Sequence, residues 1–437
     1  MFEARIAKWW LLIGLCWSAG WAWAEHPATK HVEQGNLALT KGREDEALRL
    51  YSRALRSFAH LPRRMQAAAL GGRCQLRLAA SARRQSTQLL EMALRDCDRA
   101  VTLQSNQGIW YAARSRIRAI RGEWEQAEED NDVAMRLGPE DDRLRLDRAR
   151  ILRHLDRAGE ALGWYDQLLQ GQPDQRDALL ERAALLLAQG KTPKAMEDLT
   201  RLKNAHPWDG EVARLRGEAL IAQNKITEAL EALDHAIGMN PEDPVAYLQR
   251  GSLRASRAQF REAREDFARA VALRPEDPSF LANLGLMHFL QGEYGLAEGV
   301  FRQAETLRPE DPYAPLWRHV TRRRGGGAEA APEPRASVDR AWPAPLYGLF
   351  RGQLTPEAVV VAANRLPEGD LRRSALTEAW FFNAQERLLQ GDVAGAREWL
   401  ERILADENAA EVVLRAIAQE ETRRVGTEGA KSGKKND

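Results

Sequence analysis

Residues 244–277 read PVAYLQRGSLRASRAQFREAREDFARAVALRPED, and residues 278–311 read PSFLANLGLMHFLQGEYGLAEGVFRQAETLRPED. The two segments have the same length and end in the same pentapeptide, LRPED. A proline recurs with this period, at Pro139, Pro173, Pro207, Pro241, Pro275 and Pro309. An alanine row keeps the same period, at Ala127, Ala161, Ala195, Ala229, Ala263 and Ala297. A row of larger residues does so too, at Asn131, Tyr165, Leu199, Leu233, Phe267 and Phe301. Three rows with one period predict a repeat array.

Each 34-residue unit predicts two antiparallel helices. The alanine at position 20 of the unit allows the helices to approach, the larger residue at position 24 fills the gap, and the proline at position 32 ends the second helix. This period and pattern closely resemble tetratricopeptide repeats (TPRs). The resemblance implies an all-α fold, a right-handed α-solenoid of helix hairpins with a concave groove and, here, a C-terminal helical cap.

Eight repeats are expected before residue 312, at 28–61, 62–107, 108–141, 142–175, 176–209, 210–243, 244–277 and 278–311. The second repeat is longer than the others. Its second helix has Ala93 at position 20 and Ala100 at position 27, and Gly71 or Gly72 is assigned to position 8 of its first helix. This assignment places about nine or ten extra residues between its two helices.

Beyond the repeats, the composition changes. A helix at 312–324 is expected, followed by a Gly/Pro-rich, flexible linker at 325–338. A C-terminal helical region at 339–422 contains a degenerate repeat near 377–410. Residues 423–437 are polar and are expected to form a disordered tail.

Residues 1–24 have the pattern of a signal peptide. Basic residues precede an apolar run at 9–21, and Ala22-Trp23-Ala24 is an A-x-A cleavage site, so cleavage is expected after Ala24. The alternative, an N-terminal membrane anchor, needs a longer apolar run. Lipidation of Cys16 is not expected, because Leu15 precedes it. The pattern therefore predicts export to a bacterial periplasm, with no membrane span in the mature chain.

Composition and motifs argue against several functional classes. The 64 Lys and Arg balance 63 Asp and Glu, which disfavours a nucleic-acid partner. Three cysteines exclude a cysteine-rich zinc scaffold. The segment Gly190-Lys191-Thr192 lacks the first glycine of a phosphate-binding loop, since Leu185 occupies that place. We therefore expect no enzyme activity, no cofactor and no metal.

The mature chain contains two cysteines, Cys74 and Cys97, one on each helix of the second repeat. In an oxidising compartment they are candidates for a disulfide. The alternative is a pair of small, buried thiols, because an offset of one helical turn would separate the Cα atoms too far.

A row of arginines occupies position 7, at Arg114, Arg148, Arg182, Arg216 and Arg250. Aspartates recur at position 23, at Asp130, Asp198 and Asp266. Antiparallel helices bring these two positions together. A structural ion pair is therefore the favoured interpretation of this row, rather than phosphate binding.

Groove positions are expected at 2, 5, 9, 12 and 13 of each first helix. The hypothetical partner-binding residues there are Arg116, Arg143, Arg150, Arg153 and His154, and, in the last repeat, the apolar Leu286, Phe289 and Leu290. Charge reversal at Arg116, Arg150 and Arg153 is expected to weaken partner binding without changing the melting temperature. The alternative is that the segment 338–422 folds back and covers the apolar residues.

Residues 310–405 resemble the NlpI-type periplasmic TPR proteins. The resemblance is carried by Pro315-Leu316-Trp317, by 342–352 and by 378–396. Members of that family are outer-membrane lipoproteins that recruit envelope proteases and peptidoglycan enzymes. It implies a non-enzymatic periplasmic scaffold that binds envelope proteins. The alternative is a scaffold component of an exopolysaccharide-export or protein-secretion system.

Overall fold

A computed structural model describes residues 26–138, 141–334, 341–406 and 412–433. Within these ranges the chain forms 22 α-helices and one 3-10 helix. The predicted signal peptide at 1–24 and part of the predicted linker, 335–338, lie outside the described residues, as do residues 434–437. The chain divides into two compact units, unit 1 up to Gln189 and unit 2 from Gly190.

Unit 1 consists of helix hairpins joined by short turns. Its α-helices are α1 (Pro27–Thr40), α2 (Glu44–Ala54), α3 (Arg63–Arg84), α4 (Thr87–Leu103), α5 (Gly108–Ile120), α6 (Trp124–Leu137), α7 (Asp142–His154), α8 (Ala158–Gly171) and α9 (Arg176–Ala188). The 3-10 helix Leu55–His60 connects α2 to α3.

Unit 2 continues the hairpins and adds a C-terminal helical region. The repeat helices are α10 (Thr192–Ala205), α11 (Gly210–Ala222), α12 (Ile226–Met239), α13 (Pro244–Ser256), α14 (Phe260–Leu273), α15 (Pro278–Leu290) and α16 (Tyr294–Leu307). The remaining helices are α17 (Ala314–Arg324), α18 (Ala344–Phe350), α19 (Pro356–Asn364), α20 (Asp370–Leu389), α21 (Val393–Ala405) and α22 (Val412–Gly433). Helix α22 runs further than the predicted helix end at 422, into a segment that contains no proline.

The PED sequence that ends several repeats explains why the next helix begins at a fixed place. Its last residue caps that helix: Asp243 accepts hydrogen bonds from the backbone N–H groups of Val245 and Ala246, and Asp277 accepts one from Ser279. A proline then occupies the first turn of both α13 and α15, where no backbone donor is needed.

The turn inside each hairpin requires a left-handed backbone at position 15. Gly190 adopts it with a φ of 69°, and so do Asn224 and Ala258, with φ values of 57° and 58°. Glycine reaches this region without a steric penalty. The glycine of Gly190-Lys191-Thr192 is thus explained by the turn that starts α10.

Small residues at position 8 let the two helices of a hairpin meet. A Cβ atom added to Gly251 would lie 2.8 Å from the Phe267 ring, and one added to Gly285 would lie 2.7 Å from the Phe301 ring. Positions 8 and 24 are therefore in direct contact, and the predicted pattern of small and large residues is confirmed.

The second repeat corrects one sequence assignment. Asp96 pairs with Arg73 through two hydrogen bonds of 2.7 Å, as position 23 pairs with position 7 elsewhere, so Cys74 holds position 8 and Cys97 holds position 24. The two cysteines form a buried disulfide with a Cα–Cα distance of 5.5 Å. Gly71 and Gly72, assigned to position 8 from the sequence, instead lie under the rings of Trp110 and Tyr51.

Two of the predicted position-7 ion pairs are present, one in each unit. In unit 1, Arg114 makes two hydrogen bonds to Asp130, of 2.7 and 2.8 Å. In unit 2, Arg250 makes two to Asp266, of 2.6 and 3.1 Å. Both aspartates are buried, so these arginines fix the packing of the hairpins.

The C-terminal region of unit 2 forms a large aromatic core with the last repeat. The ring of Trp317 on α17 lies 5.8 Å from that of Phe301 and 5.2 Å from those of Phe381 and Phe382 on α20. In the predicted linker, Glu329 forms ion pairs with Arg318 and Arg322 of α17. These pairs hold the first half of the linker on that helix.

Candidate partner-binding groove

A concave surface of unit 1 lies on the first helices α3, α5 and α7. These helices enclose two adjoining cavities of about 340 and 450 Å³. The floor is made of small and aliphatic side chains, namely Leu78, Ala79, Ala82, Ile109, Ala112, Ala119 and Ile120. Ile109 and Ile120 are 58% and 61% exposed. Ile109 lines one cavity and Ile120 lines the other, so an exposed apolar side chain is present in both.

Two of the predicted groove arginines are engaged in ion pairs between repeats. Arg116 pairs with Asp147 at 2.5 Å, and Arg150 pairs with Glu181 at 2.5 Å. Each pair joins position 9 of one repeat to position 6 of the next. The phenol of Tyr165 also donates a hydrogen bond to Glu181, at 2.9 Å, and burial raises the pKa of Tyr165, so it remains a donor. These two arginines therefore have a structural role.

The other predicted basic residues lie on the same helix, α7. Arg143 is exposed, lines both cavities and has no ion-pair partner among the described residues. Arg153 lies 3.5 Å from Nε2 of His154. His154 stacks on Trp124 with a centroid distance of 3.8 Å. Burial and the neighbouring charge of Arg153 lower the pKa of His154, which keeps its ring neutral near pH 7.

Sequence reasoning missed the apolar floor of this groove. With Arg73 at position 7, Leu78 and Ala79 fall at groove positions 12 and 13, but the register assigned from the sequence hid them. Ile109 and Ile120 hold positions 2 and 13 of their repeat and could have been found from the period alone.

The apolar residues predicted to be exposed in the last repeat are covered. Phe289 is 0% exposed and Leu290 is 1% exposed, while Leu286 is partly buried. Their cluster includes Phe381, Leu414 and other residues of the C-terminal helices. The expectation of an exposed apolar patch is wrong, and the alternative, in which the C-terminal segment covers it, describes the structure.

Comparison with known families and structures identifies the repeats. Residues 111–176 and 248–315 match one tetratricopeptide-repeat profile, and residues 186–255 match another. The matched segments are tetratricopeptide repeats. The predicted all-α, TPR-like solenoid is confirmed, and TPR domains generally mediate protein–protein interaction. The matched segments end at residue 315, so the resemblance of 310–405 to NlpI-type proteins stays a prediction.

Several solved structures are similar to parts of this chain. A tetratricopeptide-repeat protein from Parabacteroides merdae is 16% identical, with a TM-score of 0.47, and the match covers 58% of this chain and 98% of that one. MamA from Desulfovibrio magneticus is 21% identical, with a TM-score of 0.35, over 38% and 95% of the two chains. YrrB, described as having an unusual peptide-binding site, is 20% identical, with a TM-score of 0.33, over 39% and 88%. No curated protein matches the sequence.

The described residues also bear on other functions. They contain no group of three or more His, Cys, Asp or Glu side chains arranged to hold a metal ion. Among the described helices, none combines the length and apolar composition that crossing a membrane requires.

Proposed function

We propose that this protein is a non-enzymatic scaffold that binds a segment of a partner protein in the groove of unit 1. The observation that carries the proposal is the exposure of Ile109 and Ile120 next to the cationic Arg143. An apolar floor buries side chains of a bound segment, and a charged rim orients it. The floor is long enough to span three first helices, which suits an extended segment.

The charges predict the chemistry of that segment. Arg116 and Arg150 are already neutralised by Asp147 and Glu181, so they offer little to a ligand. Arg143 and Arg153 remain as the groove cations of α7 that a carboxylate can reach. The proposed ligand is therefore an extended segment with aliphatic side chains and one or two acidic residues.

The proposed location is a bacterial periplasm. The Cys74–Cys97 disulfide is buried between α3 and α4, and structural disulfides form in oxidising compartments. The A-x-A pattern ending at Ala24 is consistent with export. The resemblance of 310–405 to NlpI-type proteins favours a partner from the cell envelope, in the peptidoglycan or protease machinery.

The test compares partner capture by three forms of the mature chain at low salt. The double variant Arg143→Glu, Arg153→Glu should capture partners at least about tenfold less than wild type, because like charges at a contact cost several kcal/mol. The control Arg53→Glu, Arg136→Glu makes the same charge change at exposed positions of second helices and should capture them normally. Envelope proteins identified by mass spectrometry would name the pathway.

Equal capture by the groove variant and the control would refute the groove assignment. Arg116 and Arg150 are left unchanged in this design. Reversing the charge of these two arginines would place a carboxylate next to Asp147 and another next to Glu181. Contrary to the expectation from the sequence, this change would lower the stability of the chain as well as partner binding.

A further inference from the structure

Helix α22 lies on the groove side of unit 2. It packs against α13 and α15, which are the first helices of two successive repeats. Its buried face includes Leu414, Ile417, Ala418 and Glu421, at a spacing of i, i+3, i+4 and i+7. This spacing places all four side chains on one side of a helix.

The exposure of side chains at equivalent groove positions differs between unit 1 and the last repeats of unit 2. At position 13, Ile120 of unit 1 is 61% exposed, whereas Leu290 of unit 2 is 1% exposed. At position 12, Ala119 of unit 1 is partly exposed, whereas Ala255 and Phe289 of unit 2 are fully buried. Positions that are exposed in unit 1 are therefore covered at Ala255, Phe289 and Leu290 of unit 2, by Trp317 of α17 as well as by α22.

Arg324 favours a negative charge on the helix that lies in this groove. Arg324 donates hydrogen bonds to Glu421 at 2.9 Å, to Gln385 at 2.8 Å and to Tyr294 at 3.2 Å. Glu421 is 1% exposed and is the anion among these three partners. Of these three partners only the neutral two would remain without α22, so a carboxylate on a replacing helix would restore the ion pair of Arg324.

A cap for the end of the repeat array is already provided by other helices. Trp317 of α17 packs on Phe301 of the last repeat, and Phe381 and Phe382 of α20 pack on Trp317. Helix α22 packs on α21 and α20 and also crosses two first helices, and its opposite side carries the exposed Gln419 and Arg423. Where it crosses those two first helices, α22 has the position of a groove ligand.

We infer that the groove of unit 2 is a second binding site, for an amphipathic helix of a partner protein, and that α22 occupies it within the same chain until that helix replaces it. The partner helix carries aliphatic or small residues at i, i+3 and i+4 and a carboxylate at i+7. The carboxylate pairs with Arg324, as Glu421 does. The site is separate from the groove of unit 1, and its test leaves Arg143 and Arg153 unchanged.

The test measures binding of a labelled peptide of residues 412–433 to the full mature chain by fluorescence anisotropy. A tethered helix competes at an effective concentration in the millimolar range, so wild type should bind the peptide weakly. The variant Ile417→Asp should release α22 and bind the peptide at least about tenfold more tightly than wild type. The control Gln419→Asp adds the same charge at an exposed position of α22 and should behave as wild type. A peptide with Glu421→Lys should bind the released chain at least about tenfold more weakly.

A second measurement covers the case in which Ile417→Asp does not fold. In the wild-type chain, the amides of residues 414–424 should exchange hydrogen faster than those of α15, and excess peptide should accelerate them further by displacing α22. Equal exchange in α22 and α15, unchanged by peptide, would show that α22 is a permanent part of the core and would overturn the inference. So would a folded Ile417→Asp variant that binds the peptide no better than wild type. Concentration-dependent dimers in place of peptide binding would assign the groove to α22 of a second copy and would also overturn it.

Discussion

Reduction of the Cys74–Cys97 disulfide should loosen one hairpin without rearranging it. The bond closes a loop with a sequence separation of 23, for which the chain-entropy relation gives about 3 kcal/mol at 25 °C. Both sulfur atoms are buried at positions 8 and 24, where the reduced thiols would still fill the space as small apolar groups. The expected loss is therefore close to the entropic value.

The assay is hydrogen exchange of the full chain before and after treatment with a phosphine reductant. A repeat array opens region by region, so a single melting temperature would hide a local effect. A loss of about 3 kcal/mol predicts exchange in α3 and α4 that is faster by about 100-fold, with little change in unit 2. The variant Cys74→Ala, Cys97→Ala should not respond to the reductant. Unchanged exchange in α3 and α4, with two free thiols confirmed by mass spectrometry, would refute the reasoning.

Two further predictions compare matched substitutions in unit 2, each measured by hydrogen exchange in the hairpin that carries the substitution. Asp266→Ala removes a buried partner of Arg250 and should cost about 3 kcal/mol. Asp234→Ala removes an exposed partner of the same arginine and should cost less than about 1 kcal/mol; equal losses would contradict the role assigned to burial. Gly251→Ala places a Cβ against an aromatic ring and should cost about 1–3 kcal/mol. Gly299→Ala, in open space on a helix, should stabilise the chain by up to about 1 kcal/mol, and a loss there would count against the packing argument.

The six gapless repeats could be predicted because each position makes the same contact in every copy. The alanine at position 20 is 0% exposed in every one, as at Ala127 and Ala263, and position 24 is at most 1% exposed. A position with a fixed environment accepts few residue types, so its row is visible in the sequence. The caps and turns also recur at fixed positions, which is why the helix starts share the period of the sequence.

The second repeat is misplaced by sequence reasoning because two insertions break its period. One insertion adds residues at the start of its first helix, and the other lengthens its hairpin, so that Asp96 follows Arg73 by 23 positions where Asp130 follows Arg114 by 16. Gly71 and Gly72 match position 8 because they too are small, although they serve contacts with Trp110 and Tyr51. The adjacent pairs Arg73-Cys74 and Asp96-Cys97 contain the correct register, since they match positions 7–8 and 23–24 of the other repeats.

Whether the groove residues of the last repeat are buried or exposed depends on contacts that no local sequence pattern shows. Phe289 and Leu290 look the same in sequence whether α22 covers them or solvent does. The helix that covers them begins only at Val412, far along the chain. Periodicity predicts which side chains share a face, but the occupant of that face has to come from the structure.

The residues at groove positions 6 and 9 can be compared between the two units. In unit 1, Arg116 pairs with Asp147 and Arg150 pairs with Glu181. In unit 2, position 9 of the repeat 210–243 is Glu218, which accepts a hydrogen bond from the neutral Gln249 at 3.1 Å. In the next two repeats position 9 carries no charge, since it is occupied by Ser252 and then by Leu286.

Position 9 is also uncharged in the repeat 176–209, at Ala184, so the two repeats whose first helices contact α22 are distinguished by their apolar groove residues rather than by position 9 alone. Charged pairs between repeats fix the stacking of neighbours and are best left in contact with water, whereas an uncharged surface that ends in Leu286, Phe289 and Leu290 needs an apolar cover. The two grooves therefore suit different ligands: an extended, partly acidic segment in unit 1 and an amphipathic helix in unit 2. A scaffold with two such grooves could hold two partners by different means, and variants of Arg143 and Ile417 address them separately.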